Sequence, residues 1–335
     1  MNVLIIGLGK LGLLRFHLLK KNKNVNNIFL FDYNINNIKI QKNKKVQIIR
    51  NLNNISNLNI NCAFVCVPTF VATKYVSFLI KNQINVFCEK PPATKYEDLV
   101  KIKKVLNKNK RINLTYGFNH RYHESVHFIK KVIDSNKLGK ILWIRGRYGK
   151  PIDSNYLNGW RGNFNKSGGG ILIDQGIHMI DLFLHFIGKF NVIKSILSNN
   201  YIKKNLEDNA FIIFKNSRNQ TASLHSTLTL WRHLFSIEIF FTKGYLILNG
   251  LKTPSRKYGR SIIKYSKNLK KPPLILWGKK IIKKFNNDKS FINETENFIG
   301  NIKNKKTNRK SIDEAIAIMK IIKEVYSQNK NIFKK

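Results

Sequence analysis

The first twelve residues join a short apolar strand to three glycines and the start of a helix. Val3-Leu4-Ile5-Ile6 leads into Gly7-Leu8-Gly9-Lys10-Leu11-Gly12. A GxGxxG pattern between a strand and a helix is the fingerprint of a dinucleotide-binding loop, whereas the same pattern elsewhere is weak evidence. Its first glycine permits a tight turn, its second lets a pyrophosphate approach the backbone, and its third lets the helix pack closely on the strand. The pyrophosphate would then lie at the helix N-terminus, and a glycine-rich turn without a ligand is the alternative.

The segment from residue 1 to about 118 alternates short β-rich runs with helical ones. Apolar residues spaced by three and four predict helices at 70–81 and 95–109. Such alternation is typical of a parallel sheet built from strand-helix-strand units. The predicted strands are 2–6, 28–32, 46–49, 62–67, 85–88 and 112–116.

Asp32 closes the second predicted strand, twenty residues after Gly12. An acidic side chain at this point can bind the ribose 2′-hydroxyl and repel a 2′-phosphate. The sequence therefore favours NAD as cofactor, with NADP as the alternative. The alternative is that Asp32 is an ordinary polar residue in the turn after the strand and binds no ligand.

After Gly117 the regular alternation of short strands and helices ends. Helices are predicted near 124–135 and 171–187, with a strand at 141–148 between them. Runs that alternate by twos follow with short connections, which predicts an antiparallel sheet. These runs are 210–214, 221–230, 234–241 and 245–248, and a final amphipathic helix covers about 311–328. We expect two domains, 1–118 and 119–335, with the last helix packed back on the first domain; no structure is assigned to the basic stretch 251–290.

Composition constrains the partners and the compartment. Lys and Arg number 61 against 18 Asp and Glu, a formal charge of +43. The excess is spread along the chain together with abundant Asn and Ile, as A/T-rich codons would produce, and no nucleic-acid recognition motif accompanies it. Cys62, Cys66 and Cys88 lie in apolar runs, which favours buried reduced thiols over disulfides. With no uninterrupted apolar span of about 18 residues, we expect a cytoplasmic protein without a specific nucleic-acid or membrane partner.

Two short motifs carry polar groups suited to chemistry. Glu89-Lys90-Pro91 ends the fifth predicted strand, at the carboxyl edge where parallel sheets bind ligands. A lysine there can touch a substrate, although a surface lysine is the common alternative. The predicted cofactor contacts at this edge are Pro68, Glu89 and Lys90, beside Gly7, Gly9, Lys10, Leu11, Gly12 and Asp32 in the loop and second strand.

The second motif is Gly168-Gly169-Gly170 followed by Ile-Leu-Ile-Asp-Gln-Gly-Ile-His-Met-Ile-Asp. Asp174 and His178 are four residues apart on a predicted helix and therefore share a face among apolar neighbours. A partly buried polar pair is unfavourable unless it is paired or used, so the pair is either structural or functional. No metal site is predicted. Asp181 is the one further candidate ligand near Asp174 and His178, and the segment has neither a cysteine nor the HExxH spacing of zinc enzymes.

These motifs, with Gly-Phe-Asn-His-Arg-Tyr-His at 117–123, resemble in order and spacing the Gfo/Idh/MocA family of glucose-fructose oxidoreductase and inositol dehydrogenase relatives, over nearly the whole chain. The resemblance implies an α/β fold, with an N-terminal Rossmann domain built on a doubly wound parallel sheet. A C-terminal α+β domain would carry a large, mostly antiparallel open sheet that often forms subunit contacts. We therefore expect a homodimer or homotetramer. By position, Lys90, Asp174 and His178 match the family's catalytic residues.

The chemistry expected of such a chain is hydride transfer between NAD and a hydroxyl-bearing carbon of a sugar, sugar nucleotide or cyclitol. His178 would act as the base, Lys90 would hold the substrate oxygen, and Asp174 would orient His178 or a hydroxyl. The arginines near this region suggest an anionic sugar derivative. A dinucleotide-binding regulator without turnover is the alternative function. The predicted substrate contacts are Asn119, Arg121, Tyr122, Trp160 and Arg161.

Overall fold

The computed structural model describes residues 1–37, 44–53, 55–202 and 204–333. The chain divides into two compact units. Unit 1 comprises Met1–Phe118 and Phe291–Met319, and unit 2 comprises Asn119–Ser290 and Lys320–Lys335.

Unit 1 is built on a six-stranded parallel sheet in the order β3-β2-β1-β4-β5-β6. The strand order reverses direction between β1 and β4, and doubly wound sheets bind ligands at such a switch point. All six strands and the two covering helices agree with the sequence prediction within about two residues, as a hydrogen-bond definition of their ends allows. The elements are β1 Asn2–Ile6, α1 Lys10–Lys21, β2 Asn27–Phe31, β3 Val46–Ile48, β4 Cys62–Val65, α2 Thr69–Lys81, β5 Asn85–Glu89, α3 Tyr96–Lys108 and β6 Leu114–Gly117.

The central strands are buried along nearly their whole length, which explains why they read as continuous apolar runs rather than as alternating ones. Phe64 of β4 stacks on Phe87 of β5 with ring centroids 5.0 Å apart, and Phe298 meets both rings edge-on. Cys62 and Cys88 are buried free thiols in these strands, as expected, whereas the free thiol of Cys66 is only partly buried. Burial raises the pKa of Cys62 to about 12, so its thiol stays protonated.

Unit 2 contains an eight-stranded sheet in the order β14-β13-β12-β11-β7-β10-β9-β8. Every pairing is antiparallel except that of β10 with β7, which is parallel. The predicted open, mostly antiparallel sheet is therefore confirmed, whereas β8, β13 and β14 were not predicted. The elements are α4 Glu124–Asp134, β7 Ile141–Pro151, α5 Ser154–Asn158, α6 Phe164–Ser167, α7 Ile177–Ile187, β8 Val192–Ser198, β9 Asn209–Lys215, β10 Thr221–Thr227, β11 Thr229–Phe241, β12 Gly244–Asn249, β13 Ser261–Lys267 and β14 Ile281–Phe285.

Two helices complete the chain, α8 Ser290–Lys303 and α9 Lys310–Gln328. The final helix was predicted at 311–328 from its apolar spacing, and α8 was not predicted. Residues of α8 contribute to the core of unit 1, where Phe298 and Ile299 are buried with the first strands.

Helix α7 covers one face of the large sheet and approaches β7 closely at a glycine. A Cβ on Gly146 of β7 would lie 2.8 Å from a ring carbon of Phe183 in α7, so the glycine permits this close approach. The opposite face keeps large apolar side chains exposed, including Ile196 at 70% and Ile213 at 62%. The two faces of this sheet are therefore unequal in the isolated chain.

The stretch Phe164–Ile187 is long and apolar enough, by length and composition alone, to cross a membrane. Its most apolar window is 83% buried inside the protein. Such burial is typical of a core helix, which is apolar all round because it packs on all sides.

Candidate functional site

The glycine loop of unit 1 has the geometry that its sequence predicts. Gly7 has a φ of +90°, and a Cβ there would come within 2.7 Å of the Cys66 carbonyl oxygen. A Cβ on Gly12 would lie 1.9 Å from the Gly7 carbonyl oxygen, so only glycine lets α1 start this close to the loop. A Cβ on Gly9, in contrast, would meet no described atom within 4 Å.

The loop therefore fits a dinucleotide. Helix α1 begins at Lys10, and none of the described side chains caps its first amide groups. These amide groups and the open side of Gly9 are where the pyrophosphate of NAD would be held.

Asp32 follows β2 and fixes this loop. One carboxylate oxygen accepts a hydrogen bond from the Leu8 amide at 2.6 Å, and the other accepts one from the Asn34 amide at 2.8 Å. The side chain is half-buried. Asp32 thus shapes the loop as well as carrying the negative charge from which the NAD preference was predicted.

Glu89, just before Lys90, lies in a buried ion-pair cluster that sequence reasoning did not find. Arg15 of α1 is fully buried; its Nε donates to the Glu89 carboxylate at 2.8 Å, and it also pairs with Glu294 of α8. The guanidinium carbon lies 4.4 Å from the centre of the Phe87 ring. These contacts connect the helix behind the glycine loop to the end of β5, where Lys90 precedes a cis proline.

In unit 2 the last of the three glycines at 168–170 packs against the buried residue Glu207. The Glu207 carboxylate accepts hydrogen bonds from the Gly170 and Leu172 amides, both at 2.9 Å, and from the Tyr326 hydroxyl at 3.0 Å. A Cβ on Gly170 would lie 2.1 Å from the Glu207 carbonyl oxygen. Burial raises the pKa of Glu207 to about 7 against the opposing effect of these donors. Gly170 is therefore needed so that the Glu207 carboxylate can cap the segment that carries Asp174.

The predicted helix at 171–187 is present, but it opens with a π-helical turn at Leu172–Gly176 before α7 begins. Such turns are rare and are frequently found at functional sites. Asp174 lies within the turn and His178 in the first turn of α7. Both side chains are largely buried.

Two cations contact the Asp174 carboxylate. Lys150 at the end of β7 approaches it with Nζ at 3.1 Å, and the Nε of Arg161 lies 3.6 Å away. Lys150 is itself mostly buried, with its Nζ 4.8 Å from the Tyr156 ring centre. The sequence predicted Arg161 as a substrate contact and missed Lys150, because nothing in its local pattern distinguishes it from the many surface lysines.

The His178 ring stacks on the ring of His120, with centroids 3.8 Å apart and planes inclined by 21°. His120 is held in turn by Asn119, whose Oδ1 lies 3.1 Å from Nδ1, and by Tyr148, whose hydroxyl lies 3.3 Å from Nε2. The 117–123 segment thus contributes His120 rather than only the predicted Asn119, Arg121 and Tyr122.

Tyr258 adds a further polar group to this region. Its hydroxyl accepts a hydrogen bond from Gln175 Nε2 at 2.7 Å, and its ring packs against Tyr148 and His233. It lies in the 251–290 stretch to which the sequence assigned no structure. Only the fold brings it beside a residue 83 positions away.

The remaining predicted substrate contacts have varied surroundings. Arg121 binds both oxygens of the fully buried Asp181 at 2.9 and 3.0 Å, so this guanidinium is engaged by a carboxylate. Tyr122 faces His127, with ring centroids 6.4 Å apart. Trp160 receives the Arg161 guanidinium 4.5 Å from its ring centre. Among the residues that the structure describes, no group of three or more His, Cys, Asp or Glu is arranged to hold a metal ion.

Curated relatives match parts of the chain. A 2,7-anhydro-N-acetylneuraminate hydratase of Escherichia coli is 24% identical over 205 residues, which cover 59% of this chain and 51% of that protein. A D-glucoside 3-dehydrogenase of Escherichia coli is 29% identical over 141 residues, covering 42% of this chain and 39% of the relative. The chain thus aligns with about half, or less, of the length of these relatives.

Solved structures match the fold over almost the whole length. Levoglucosan dehydrogenase in complex with NADH and levoglucosan superposes with a TM-score of 0.82 at 16% identity, over 99% of this chain and 97% of that one. At this identity the likeness shows the fold alone.

Two family profiles match consecutive parts of the sequence. Residues 1–118 match the oxidoreductase family with an NAD-binding Rossmann fold, and residues 126–247 match the GFO/IDH/MocA C-terminal domain. Together they cover more than two thirds of the chain. With the loop geometry of unit 1 and the sheet of unit 2, these matches show that the chain belongs to the Gfo/Idh/MocA family of NAD-binding oxidoreductases.

Proposed function

We propose that the chain transfers a hydride between NAD and a hydroxyl-bearing carbon of a sugar-like substrate. The observation that carries the proposal is the polar cluster around α7. A buried imidazole, His178, lies one turn after a carboxylate, Asp174, that two cations contact. Buried titratable groups with charged partners recur at active sites.

The chain's own residues supply proton transfer and orientation. NAD, when bound, supplies the hydride acceptor. His178 takes the proton of the substrate hydroxyl, since a neutral imidazole nitrogen can accept a proton. The His120 ring, stacked at 3.8 Å and tethered at both nitrogens, limits the rotation of His178.

Lys90 is proposed to hold the substrate oxygen and to stabilise its alkoxide character. Arg15, through Glu89, fixes the end of β5 from which Lys90 projects. Asp174 is proposed to hold Lys150 and Arg161 in place for the substrate, because both cations contact its carboxylate. Its second proposed role is to orient His178. The family match and the relative named as a D-glucoside dehydrogenase support a sugar hydroxyl as the reacting group.

The proposal is tested by incubating the purified chain with NAD and a panel of aldoses, cyclitols and sugar nucleotides, following both the absorbance of reduced nicotinamide and the sugar products. His178→Ala should lower kcat by about 10²- to 10⁴-fold, the usual contribution of an acid-base group, while the Kd for NAD stays nearly unchanged. His225→Ala is the matched control, because His225 stacks on Phe211 of the large sheet and should leave kcat unaltered. Near-normal turnover by His178→Ala would refute the assignment of the base. A sugar product formed without net reduction of NAD would refute hydride transfer as the overall reaction.

A further inference from the structure

The loop between β13 and β14 exposes a row of large apolar side chains. Leu274, Ile275, Leu276 and Trp277 are 62%, 65%, 50% and 48% exposed. We call these four residues the apolar tip. Isolated exposed apolar residues are normal, whereas a contiguous group of four is typical of an interaction surface.

The apolar tip is held in a defined conformation. Asn268 is buried, and its side chain accepts a hydrogen bond from the Leu276 amide at 2.8 Å and donates one to the Leu274 carbonyl at 3.0 Å. Main-chain bonds add Leu269 N to Leu276 O at 2.7 Å and Gly278 N to Lys267 O at 2.8 Å. The Trp277 ring meets Tyr245 of β12 edge-on at 5.2 Å. The exposed side chains therefore project from an ordered hairpin.

Exposed lysines flank the tip on both sides in the chain. Lys270 and Lys271 precede it, and Lys279 and Lys280 follow it, all four exposed. The sequence contains no acidic residue between Glu238 and Asp288. Codon bias explains a general excess of lysine, but it does not explain why lysines without acidic neighbours border four exposed apolar side chains.

We propose that the apolar tip inserts into the interface of an anionic lipid bilayer, with the flanking lysines on the lipid headgroups. Apolar side chains that enter the headgroup and acyl boundary, combined with lysines at the surface, are the pattern of peripheral membrane attachment. Tryptophan is enriched at this depth because its ring is amphipathic. The proposal replaces the expectation of no membrane partner, which rested on the absence of an apolar span long enough to cross a bilayer and on the attribution of the positive charge to codon bias.

Other occupants fit the tip less well. A second copy docked tip to tip would bring the same four lysines against each other, and like charges oppose such contact. Single-stranded nucleic acids bind through stacked aromatic rings and arginines, whereas the tip offers three aliphatic side chains and one indole. A lipid surface satisfies both the aliphatic and the cationic groups.

The test is flotation of the full chain with vesicles of phosphatidylcholine alone or mixed with phosphatidylglycerol. We expect binding only to the mixed vesicles, and weaker binding as salt concentration rises. The variant Leu274→Ser with Ile275→Ser and Leu276→Ser should reduce binding about tenfold or more, since three large side chains no longer enter the interface. Ile48→Ser with Ile292→Ser is its control, because both residues are exposed apolar positions in unit 1. A blue shift of tryptophan fluorescence on vesicle addition should vanish in Trp277→Phe.

A second pair of variants separates insertion from net charge. Lys270, Lys271, Lys279 and Lys280 changed to Gln should weaken binding strongly, whereas the same change at the exposed Lys21, Lys81, Lys108 and Lys110 should weaken it little. If both sets of lysine variants lost vesicle binding equally, the attraction would be nonspecific and the proposal would be overturned. Undiminished vesicle binding by the triple serine variant would overturn it as well. Absence of wild-type binding would also overturn it, as would a change of oligomeric state in the triple variant with no effect on vesicles. Circular dichroism and thermal unfolding establish that each variant is folded.

Discussion

Asp32 has two functions that a single substitution can separate. Its carboxylate accepts the Leu8 amide and fixes the loop, and its charge would repel a 2′-phosphate. We expect the wild-type chain to bind NAD at least about tenfold more tightly than NADP, since a like charge opposes the phosphate. Asp32→Asn keeps an oxygen that can accept from the Leu8 amide. It should lower the ratio of NAD affinity to NADP affinity, mainly because NADP binds more tightly. Titration of both cofactors measures it, and equal or reversed affinities of the wild-type chain would contradict the assignment.

Arg161 bears on the charge of the substrate. The basic residues that suggested an anionic substrate are Arg121, Arg145, Arg147, Arg161 and Lys166. Arg121 is bound by Asp181 and Arg145 by Glu238, whereas Arg161 and the newly found Lys150 contact Asp174. Two cations and one carboxylate leave an excess positive charge that can receive a phosphate or carboxylate. Arg161→Ala should raise KM for a sugar phosphate or sugar nucleotide about tenfold more than it raises KM for the neutral parent sugar, a typical loss for a charged hydrogen bond. Equal effects on both compounds, measured as kcat/KM over an ionic-strength series, would remove the case for an anionic substrate.

Among individual site residues, the sequence predicted those that lie in local motifs. The glycine loop, Asp32, Lys90, Asp174 and His178 each belong to a pattern readable within a few positions. Lys150, His120, Tyr258 and Arg15 did not stand out, because their partners are distant in sequence or their types are common here. Arg15, for example, meets Glu89 and Glu294 across 74 and 279 positions. Only the tertiary fold defines such sites.

Glu207 makes the glycine turn before α7 sensitive to pH. Burial raises its pKa from 4.5 to about 7 in the folded chain. Between these values the folded state binds more protons than the unfolded one, so the free energy of unfolding should fall as pH rises through this window. The loss attributable to this group is on the order of 3 kcal/mol at most. Unfolding titrations at several pH values measure the slope.

Glu207→Gln is the matched variant for that slope. An amide cannot ionise, so the variant should lose the Glu207 part of the pH dependence. It should also be less stable below about pH 5, since glutamine has one acceptor oxygen for the Gly170 and Leu172 amides and its NH₂ group accepts from neither. An unchanged slope in the variant would show that Glu207 does not titrate in this range. Near-normal kcat in a folded variant would indicate that the cap serves stability rather than the placement of Asp174.

Regular elements were predicted best where apolar periodicity was strong. Strands β1 and β4 and helices α2 and α9 have the predicted type and nearly the predicted bounds. The π-helical turn at Leu172–Gly176 was missed, because one extra residue per turn leaves no distinct sequence signal. β14, with the sequence Ile-Ile-Lys-Lys-Phe, was missed because it is an exposed edge strand whose apolar and charged residues do not alternate. The parallel pairing of β10 with β7 depends on the path of the chain through α7, which periodicity does not encode.

For the whole molecule we predict a homodimer or homotetramer formed through the exposed face of the large sheet. On β11 the residues Phe235, Ile237 and Ile239 are buried, while Ile196 of β8 and Ile213 of β9 stay largely exposed. Burial of such side chains is favourable by about 25 cal/mol per Å² of apolar surface, which makes a second copy a suitable cover. Light scattering at micromolar concentration should give a multiple of the single-chain mass. A species with the mass of one chain would contradict the prediction, and Ile196→Lys with Ile213→Lys should produce that species.

The proposed reaction is hydride transfer between nicotinamide and a hydroxyl-bearing sugar carbon, and the transferred atom can be followed in the direction of sugar oxidation. The direct measurement uses sugars, cyclitols and sugar nucleotides that carry deuterium on the carbinol carbons, incubated with the chain and NAD. We expect the reduced nicotinamide formed from at least one substrate to carry the deuterium, and we expect Lys90→Ala and His178→Ala to slow the transfer by about 10²- to 10⁴-fold while still binding NAD. Reduced nicotinamide without deuterium, or deuterium transfer that persists undiminished in both variants, would contradict it.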